Sequence, residues 1–323
     1  MTKWLLVLAA AAAALSAPAL RAETYPTRPI TLVAVFGAGS ASDTICRVLA
    51  EPLGAALKQP VIVEDRPGAD GALAATYVAR ANPDGYTLML ATNSPLSADP
   101  FLLKDLSYDA IKDFTPIGMI GATPNVLAVN ASVPATTVGE FIRYVKANLG
   151  KVSYGSAGAG SLTHLTMELF KQETGTIMVH IPYRGIAPAI NDLLGGQTQA
   201  MFPGLAAALP HLRSGRVRAL AVTGHARSPQ LKDIPTLEES GFKGFDAMQW
   251  YGSVGPAGIA DDVVRRLNET QVAVLRDPEL RERLSVEAVE PLPMTPEQFG
   301  QFIRADIQRW TALAKARNIR LDE

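Results

Sequence analysis

The sequence predicts an α/β protein built as two lobes, on three observations. Apolar segments of strand length alternate with helical segments, an order typical of parallel sheets covered by helices. A unit of strand, glycine-rich loop and helix occurs twice, near residues 37 and 157. Beyond an N-terminal leader, roughly 300 residues remain, enough for two domains of about 100 to 200 residues each. We therefore expect two sheets, each followed by one glycine-rich loop.

Residues 1–22 have the order of a secretory signal peptide. Lys3 precedes an apolar run from Trp4 to Leu15, and small residues follow it. The run is shorter than the roughly 20 residues that a membrane span needs. Cleavage fits the sequence after Ala19 or after Ala22, and neither position has a lipid-attachment cysteine. We predict an exported, soluble mature chain in the periplasm.

Composition excludes several classes of protein. The net charge of -1 offers no broad basic face, so nucleic acid is not an expected partner. Cys46 is the only cysteine, which excludes a disulfide framework, and its apolar neighbours predict a buried thiol. We predict no metal and no cofactor, because the histidines are scattered without ligand spacing. They are His164, His180, His211 and His225.

Hydrophobic patterns and turn residues predict the individual elements. Strands are expected at Ile30–Phe36, Val61–Glu64, Thr87–Ala91, Asn125–Asn130, Val152–Ser156, Met178–Pro182, Gln199–Phe202 and Val217–Val222. Helices are expected at Thr44–Leu57, Ala72–Arg80, Val138–Ala147, Leu162–Gln172, Pro188–Leu194, Ala206–Ser214, Val263–Arg276, Pro278–Ser285 and Pro296–Arg317. The alternation indicates parallel sheets, in which ligands bind beyond the carboxyl ends of the strands.

The two glycine-rich loops are the candidate binding elements. They read GAGSASD from Gly37 and GSAGAGS from Gly155, and each precedes a helix. Glycine lets the backbone approach a ligand closely, while a helix start presents N–H groups and partial positive charge. Neither loop contains Lys or Arg, so backbone amides and serine hydroxyls would hold an anion. Alternatively, both loops are tight turns in which Ser or Asp caps a helix.

Two enzymatic interpretations compete with this one. Gly37-x-Gly39 lies between a strand and a helix, and Glu64 and Asp65 follow at the distance that a ribose-binding acid of a dinucleotide site would have. However, Ser42 occupies the place of the third glycine, and export separates the chain from nicotinamide cofactors. A hydrolase would use Ser161 and His164, yet no Gly-x-Ser-x-Gly elbow occurs there. We predict no enzymatic activity.

Several ordered motifs resemble the Bug-type solute receptors of tripartite tricarboxylate transporters, over essentially the whole mature sequence. The motifs are YPTRPI at Tyr25, the loop from Phe36 to Asp43, EDRPGADG at Glu64, NPDGYTL at Asn82, YGSAGAGSLTHL at Tyr154, IPYRGIAPAINDLLGGQ at Ile181, LPHLRSGRVRALAVT at Leu209 and a tryptophan followed by an aromatic residue and glycine at Trp250. The resemblance implies a receptor that binds a small carboxylate and delivers it to membrane permease subunits. A receptor that signals to a sensor instead is the alternative.

The resemblance also implies a fold. It is the two-lobed periplasmic-binding-protein (Venus flytrap) fold, type II-like, with two α/β lobes joined by crossing strands. Lobe 1 would comprise residues 23–123 plus 250–323, and lobe 2 residues 124–249. We expect a monomer that closes on its ligand.

The resemblance assigns ligand contacts to both loops and to three further segments. The implied binding residues are Phe36, Gly37, Ser40, Ala41, Ser42, Asp43, Thr92, Asn93, Gly158, Ser161, Thr163, His164, Tyr183, Ala187 and Pro203. Asp43 is expected to cap a helix, because a carboxylate would repel an anion. Family members often have Asp after the Met-Phe pair, where this chain has Pro203. This departure favours an amine-free carboxylate, an aromatic or aliphatic dicarboxylate, against an apolar wall of Phe36, Tyr183 and Trp250.

Overall fold

The structure is a computed structural model that describes residues 25–103 and 105–319. The predicted signal peptide lies outside the described residues. In the part of the chain that is described, no helix is long and apolar enough to cross a membrane.

One of the two sheets in the described residues has six strands in the order β11-β4-β10-β3-β1-β2. Its strands are β1 (Ile30–Ala34), β2 (Val61–Asp65), β3 (Thr87–Thr92), β4 (Phe114–Pro124), β10 (Met248–Pro256) and β11 (Glu290–Pro291). Strands β1, β2 and β3 are parallel, and β10 is antiparallel to both β3 and β4. Helices α1 (Ala41–Leu57), α2 (Ala72–Ala79), α8 (Asp261–Val274) and α9 (Pro278–Ser285) accompany this sheet. A short helix, α3 (Asp99–Leu102), follows β3.

The other sheet has five strands within the described ranges, in the order β7-β6-β8-β5-β9. They are β5 (Val126–Asn130), β6 (Ser153–Ser156), β7 (Val179–Pro182), β8 (Ala200–Met201) and β9 (Val217–Val222). Helices α4 (Val138–Ala147), α5 (Leu162–Thr174), α6 (Ile186–Leu194) and α7 (Leu205–Arg213) connect them. Strand β6 is parallel to β7 and β8, whereas β5 is antiparallel to β8 and β9.

The predicted fold of two α/β lobes joined by crossing strands is confirmed, and the indicated parallel pairing holds for only part of each sheet, because the chain passes from one sheet to the other and returns. The chain leaves the six-stranded sheet at the end of β4 and continues into β5 of the five-stranded sheet. It returns to the six-stranded sheet at β10, which pairs antiparallel with β4. Neither β4 nor β10 was predicted from the sequence. Both contain glycines at which a side chain has no room: a Cβ at Gly252 would collide with the Phe299 ring, and one at Gly121 with the backbone of Glu290. These glycines weaken the strand signal.

The C-terminal helix α10 (Pro296–Arg317) packs on both sheets. Phe299 and Ile303 belong to the core of the first sheet. Trp310 and Leu313 are buried in the core of the second sheet. The helix therefore contacts the cores of both sheets, and the division into lobe 1 (residues 23–123 plus 250–323) and lobe 2 (residues 124–249) stays a prediction.

Candidate functional site

A cleft of about 1100 Å³ lies between the two sheets. Both glycine-rich loops contribute to it, one from each side. Four residues of the crossing region also line it, namely Thr123, Asn125, Gln249 and Tyr251. The cleft therefore lies where the chain crosses between the lobes.

The first loop is held by its own side chains. Ser40 caps α1, its hydroxyl accepting a hydrogen bond from Asp43 N–H at 3.2 Å and lying 3.2 Å from the Ser42 hydroxyl. The Asp43 carboxylate accepts from Gly39 N–H at 2.9 Å and pairs with Arg47 at 2.6 Å. Asp43 is only 5% exposed. The Asp43 carboxylate is therefore already engaged by Gly39 and Arg47, and these contacts hold the loop against the start of α1.

The second loop has a similar internal frame. The Ser161 hydroxyl donates to the Gly158 carbonyl at 2.7 Å and accepts from His164 N–H at 3.4 Å. The Thr163 hydroxyl accepts from Ala157 N–H at 2.8 Å. These bonds preorganise the loop at the start of α5 before any ligand is present.

Two stacked histidines lie behind the second loop. His164 Nδ1 accepts a hydrogen bond from Gly160 N–H at 3.0 Å, and its ring stacks on His180 at 3.9 Å between centroids. His180 in turn stacks on Tyr154 and contacts the Ser156 hydroxyl at 2.7 Å. Burial lowers the pKa of each histidine to about 4, and for His164 the neighbouring imidazole adds to this. Both rings are therefore neutral near pH 7, which leaves His164 Nδ1 free to accept from the loop.

We expect the free energy of unfolding to fall as the pH drops from about 7 to about 4. The folded-state pKa of His164 and His180 lies below the ordinary value of 6.5, so the unfolded chain binds protons first. The loss amounts to up to about 3 kcal/mol for each imidazole. Urea unfolding across this pH range measures it. His180→Gln should flatten the curve and His225→Gln, at a side chain 65% exposed, should not. Equal pH slopes in wild type and His180→Gln would contradict this account.

Helix N-termini dominate the cleft. Among the described residues, four helices longer than the short α3 begin at it, α1, α5, α6 and α7, with the first residues Ala41, Leu162, Ile186 and Leu205. The first N–H groups of a helix have no partner within it, and they carry partial positive charge. No Lys, Arg or His of the described chain lines the cleft. The arrangement attracts anions through backbone donors.

The predicted binding residues divide into two groups. Those that line the cleft are Phe36, Ala41, Ser42, Gly158, Ser161 and Thr163. Those that do not are Gly37, Ser40, Asp43, Thr92, Asn93, His164, Tyr183, Ala187 and Pro203. The structure thus brings the two predicted loops together at one cleft. Only some residues of each loop lie on the surface of that cleft.

Some residues of the second group have structural partners instead. The Asn93 amide donates to the Met248 carbonyl at 3.2 Å and accepts from Trp250 N–H at 2.8 Å, which ties β3 to β10. The Tyr183 hydroxyl donates to Asp192 at 2.6 Å. These contacts shape the strands and the loop beside the cleft.

The apolar wall differs from the predicted one. Phe36 lines the cleft, but Trp250 is 1% exposed and packs in the core. Tyr251, the next residue of β10, contributes to the cleft lining instead, although it is only 5% exposed. Successive residues of a strand point to opposite faces, so one position separates a core residue from a site residue.

Sequence reasoning also missed the N-termini of α6 and α7. The predicted starts, Pro188 and Ala206, were slightly late. Gly185 and Gly204 precede the observed helices, and a glycine at the cap position was the available signal. Two acidic residues at the cleft, Asp70 and Asp99, carried no signal that connected them to it.

The acids of the dinucleotide alternative lie away from the cleft. Glu64 pairs with Arg66 at 2.6 Å and Asp65 with Arg47 at 3.3 Å, and neither carboxylate lines it. Both carboxylates are thus engaged with arginines, which removes the geometric reason for a ribose site.

Comparisons with known proteins agree with this architecture. The family model "Tripartite tricarboxylate transporter family receptor" matches residues 45–319. Protein BugT of Bordetella pertussis is 35% identical, with 99% of each chain covered. A structure of an R. palustris protein with adipate is 34% identical with a TM-score of 0.80, covering 92% of this chain and 100% of that one. MatC from Rhodopseudomonas palustris with bound malate is 30% identical with a TM-score of 0.73, covering 90% and 99%. The chain belongs to the tripartite tricarboxylate transporter receptor family.

Proposed function

We propose that this receptor captures a small carboxylate in the cleft and delivers it to the permease subunits of a tripartite tricarboxylate transporter. The observation that carries the proposal is the convergence of four helix N-termini on a cleft that no Lys, Arg or His of the described residues lines. Oriented backbone N–H groups suit a carboxylate, whose oxygens each accept more than one hydrogen bond. The N-termini come from both sheets, so a bound carboxylate is held from both lobes.

Dicarboxylates are the favoured solutes. Four helix starts at one cleft present more backbone N–H groups than one carboxylate can accept from, so a second carboxylate can be bound in the same cleft. The related receptors with adipate and malate support the same class. Phe36 and Tyr251 supply apolar surface for the carbon chain between the two charges.

An amine-free solute stays a prediction, since its basis lies outside the cleft lining. Pro203 is buried, and its carbonyl accepts a hydrogen bond from Val126 N–H at 2.9 Å. The proline therefore contributes to strand pairing near the crossing region. Discrimination between amine-free and amine-bearing carboxylates has to come from side chains that do line the cleft.

The predicted leader and the family support an inference about the cellular setting. We infer that the mature chain is released into the periplasm and acts as a monomer. Its partners are the carboxylate and membrane permease subunits, and it has no enzymatic activity. A role in signalling to a sensor would use the same cleft.

A thermal-shift screen of mono- and dicarboxylates tests the proposal. A ligand at 100 times its Kd stabilises the folded state by about 2.7 kcal/mol, which corresponds to roughly 5 to 10 °C in Tm for a chain of this size. We expect such a shift with at least one small dicarboxylate and none with uncharged amides of the same length. No shift with any carboxylate, together with turnover of an ester or a nicotinamide substrate, would overturn the receptor function.

A further inference from the structure

The second loop contains two glycines in a backbone conformation that other residues rarely adopt. Gly158 has a φ of +137° and Gly160 a φ of +77°. Both residues line the cleft. Glycine tolerates such angles but does not fix them, because it adopts negative φ as readily. A loop that is ordered before the solute arrives therefore needs contacts that hold these two glycines at their angles.

Each of the two glycines is held by one of the stacked histidines. His164 Nδ1 accepts a hydrogen bond from Gly160 N–H at 3.0 Å, and His164 is 7% exposed. His180 Nε2 lies 2.7 Å from the Ser156 hydroxyl. That hydroxyl bonds in turn to Gly158, with its carbonyl at 3.0 Å and its N–H at 3.2 Å. The two imidazoles thus reach both glycines, His164 directly and His180 through one serine.

The stacking of the two rings joins these contacts into one unit. The imidazole planes lie 4° from parallel with centroids 3.9 Å apart, and His180 also stacks on Tyr154 at 4.9 Å. His164 Nδ1 can accept from Gly160 only while it carries no proton, and two charged rings at this separation would repel each other. The geometry therefore requires at least one neutral imidazole, and removal of either ring leaves the other without its packing partner.

The histidine contacts also decide which amides of the loop stay available to an anion. Four loop N–H groups have acceptors in the loop itself or in His164, namely those of Ala157, Gly158, Gly160 and Ser161. Three have no acceptor among the described residues, namely those of Ala159, Leu162 and Thr163. All three of these residues line the cleft. Loss of the His164 contact would release Gly160 N–H and let the loop leave this arrangement.

We propose that His164 and His180 are positioning residues for carboxylate capture, a stacked pair that fixes Gly160 and Gly158 and so preorganises the second loop for the anion. Neither ring lines the cleft, so each acts through the glycine that it holds. The inference rests on the proposed function and deepens it, because it names the side chains that keep the loop ready while the cleft is empty of solute.

Two pairs of variants with matched shapes test the two contacts. Asn places an acceptor oxygen near the position of histidine Nδ1, and Leu has the same branching without it, whereas Gln and Met are related in the same way at Nε2. If a variant reduces the binding-competent loop to about a tenth of the population, the Kd rises about tenfold. We expect this rise in His164→Leu, whereas His164→Asn should stay within about threefold of wild type. His180→Met should bind about fivefold more weakly than His180→Gln.

Isothermal titration with succinate, malate, glutarate and adipate gives the Kd of each folded variant. His225→Asn, at a side chain 65% exposed, is the control and should leave the Kd unchanged. Equal Kd values for His164→Leu and His164→Asn would overturn the positioning role and leave carboxylate capture intact. Failure of wild type to bind any of the four acids would overturn both.

Nitrogen NMR of the wild-type protein tests the same contact without a substitution. Near pH 7 the His164 ring should show an unprotonated Nδ1 and a protonated Nε2, with or without solute. The Gly160 amide should exchange slowly with solvent in the solute-free protein, because its hydrogen bond to His164 is already made. A proton on Nδ1, or a Gly160 amide that is protected only after solute binds, would show that His164 does not preorganise the loop.

Discussion

Replacing Glu168 with alanine should lower the free energy of unfolding by about 3 to 5 kcal/mol. Glu168 lies in α5 with its side chain 7% exposed, and it accepts a hydrogen bond from Tyr154 at 2.6 Å and from Arg317 at 2.8 Å. It also pairs with Lys171, which is 8% exposed. Burial opposes ionisation of Glu168, but the bonds from Lys171 and Tyr154 outweigh it and hold the pKa of this carboxyl below its usual range.

The size of the effect follows from what the substitution leaves behind. Without Glu168, the buried ammonium of Lys171 would have no counterion. One uncompensated buried charge destabilises a fold more than replacement of both partners of the ion pair does. The bond between Arg317 and Glu168 also joins α10 to α5, so its loss loosens the helix that spans both sheets. A decrease in Tm of roughly 10 °C is expected for a chain of this size.

The same helix offers a matched control. Glu173→Ala removes an exposed carboxylate from α5 and should change the free energy of unfolding by no more than about 0.5 kcal/mol. Adding Lys171→Met to Glu168→Ala should recover part of the loss, because the unpaired charge is then gone. A change below 1 kcal/mol in Glu168→Ala, measured by urea unfolding, would show that water compensates Lys171 and that the network is not a structural support.

Local chemistry explains why the helices and the two loops were predictable. Strand β9 and helices α4, α9 and α10 have the predicted bounds. Thr137, Asp277 and Thr295 cap these helices through side-chain bonds to backbone N–H groups, signals that lie within a few residues of each helix start. The expected capping role of Asp43 is not found, because Ser40 caps α1 and the Asp43 carboxylate instead binds Gly39 N–H inside the loop.

The parts that were missed depend on contacts distant in sequence. Strands β4 and β10 contain glycines because Phe299 and Glu290 approach their backbones, and that approach is determined by tertiary packing. Asp99 reaches the cleft through a π-helical turn, an element without a sequence signature in this chain. The prediction placed Trp250 in the apolar wall, whereas the next residue, Tyr251, lines the cleft. Both residues belong to β10, a strand that was itself not predicted. Sequence patterns therefore located the loops of the site but not the residues that complete its walls.

The attraction of the cleft for anions comes from backbone N–H groups at the helix starts rather than from side chains. Substituting lining side chains with alanine leaves the helix N–H groups in place, so such variants underestimate the contribution of the helix starts. A proline at the first helical position removes one of these N–H groups, and it is favoured there because its φ suits a helix start. The first positions of helices that begin at the cleft can thus be tested without disrupting the helix.

Ala41→Pro should raise the Kd for the carboxylate at least tenfold. Ala41 is the first residue of α1 and lines the cleft, and Ser40 before it has φ -74° and ψ 162°, a conformation that a following proline tolerates. The substitution removes one donor to the anion, and hydrogen bonds to charged groups contribute about 1.5 to 3 kcal/mol. By the relation of about 1.4 kcal/mol per tenfold change, the expected loss of affinity is about 10-fold to 100-fold.

Two controls separate this loss from damage to the fold. Asp261→Pro makes the same change at the first residue of α8, which is exposed and outside the cleft lining, after Ala260 with φ -60° and ψ 141°. It should leave both Kd and Tm near the wild-type values. Ala41→Ser keeps the N–H group and should bind within about threefold of wild type, a difference of less than 1 kcal/mol. If Ala41→Pro binds carboxylates as tightly as Ala41→Ser, the α1 N-terminus does not hold the anion. Recognition must then depend on the three helix starts of the second lobe, with the first lobe closing over the solute without binding its charge.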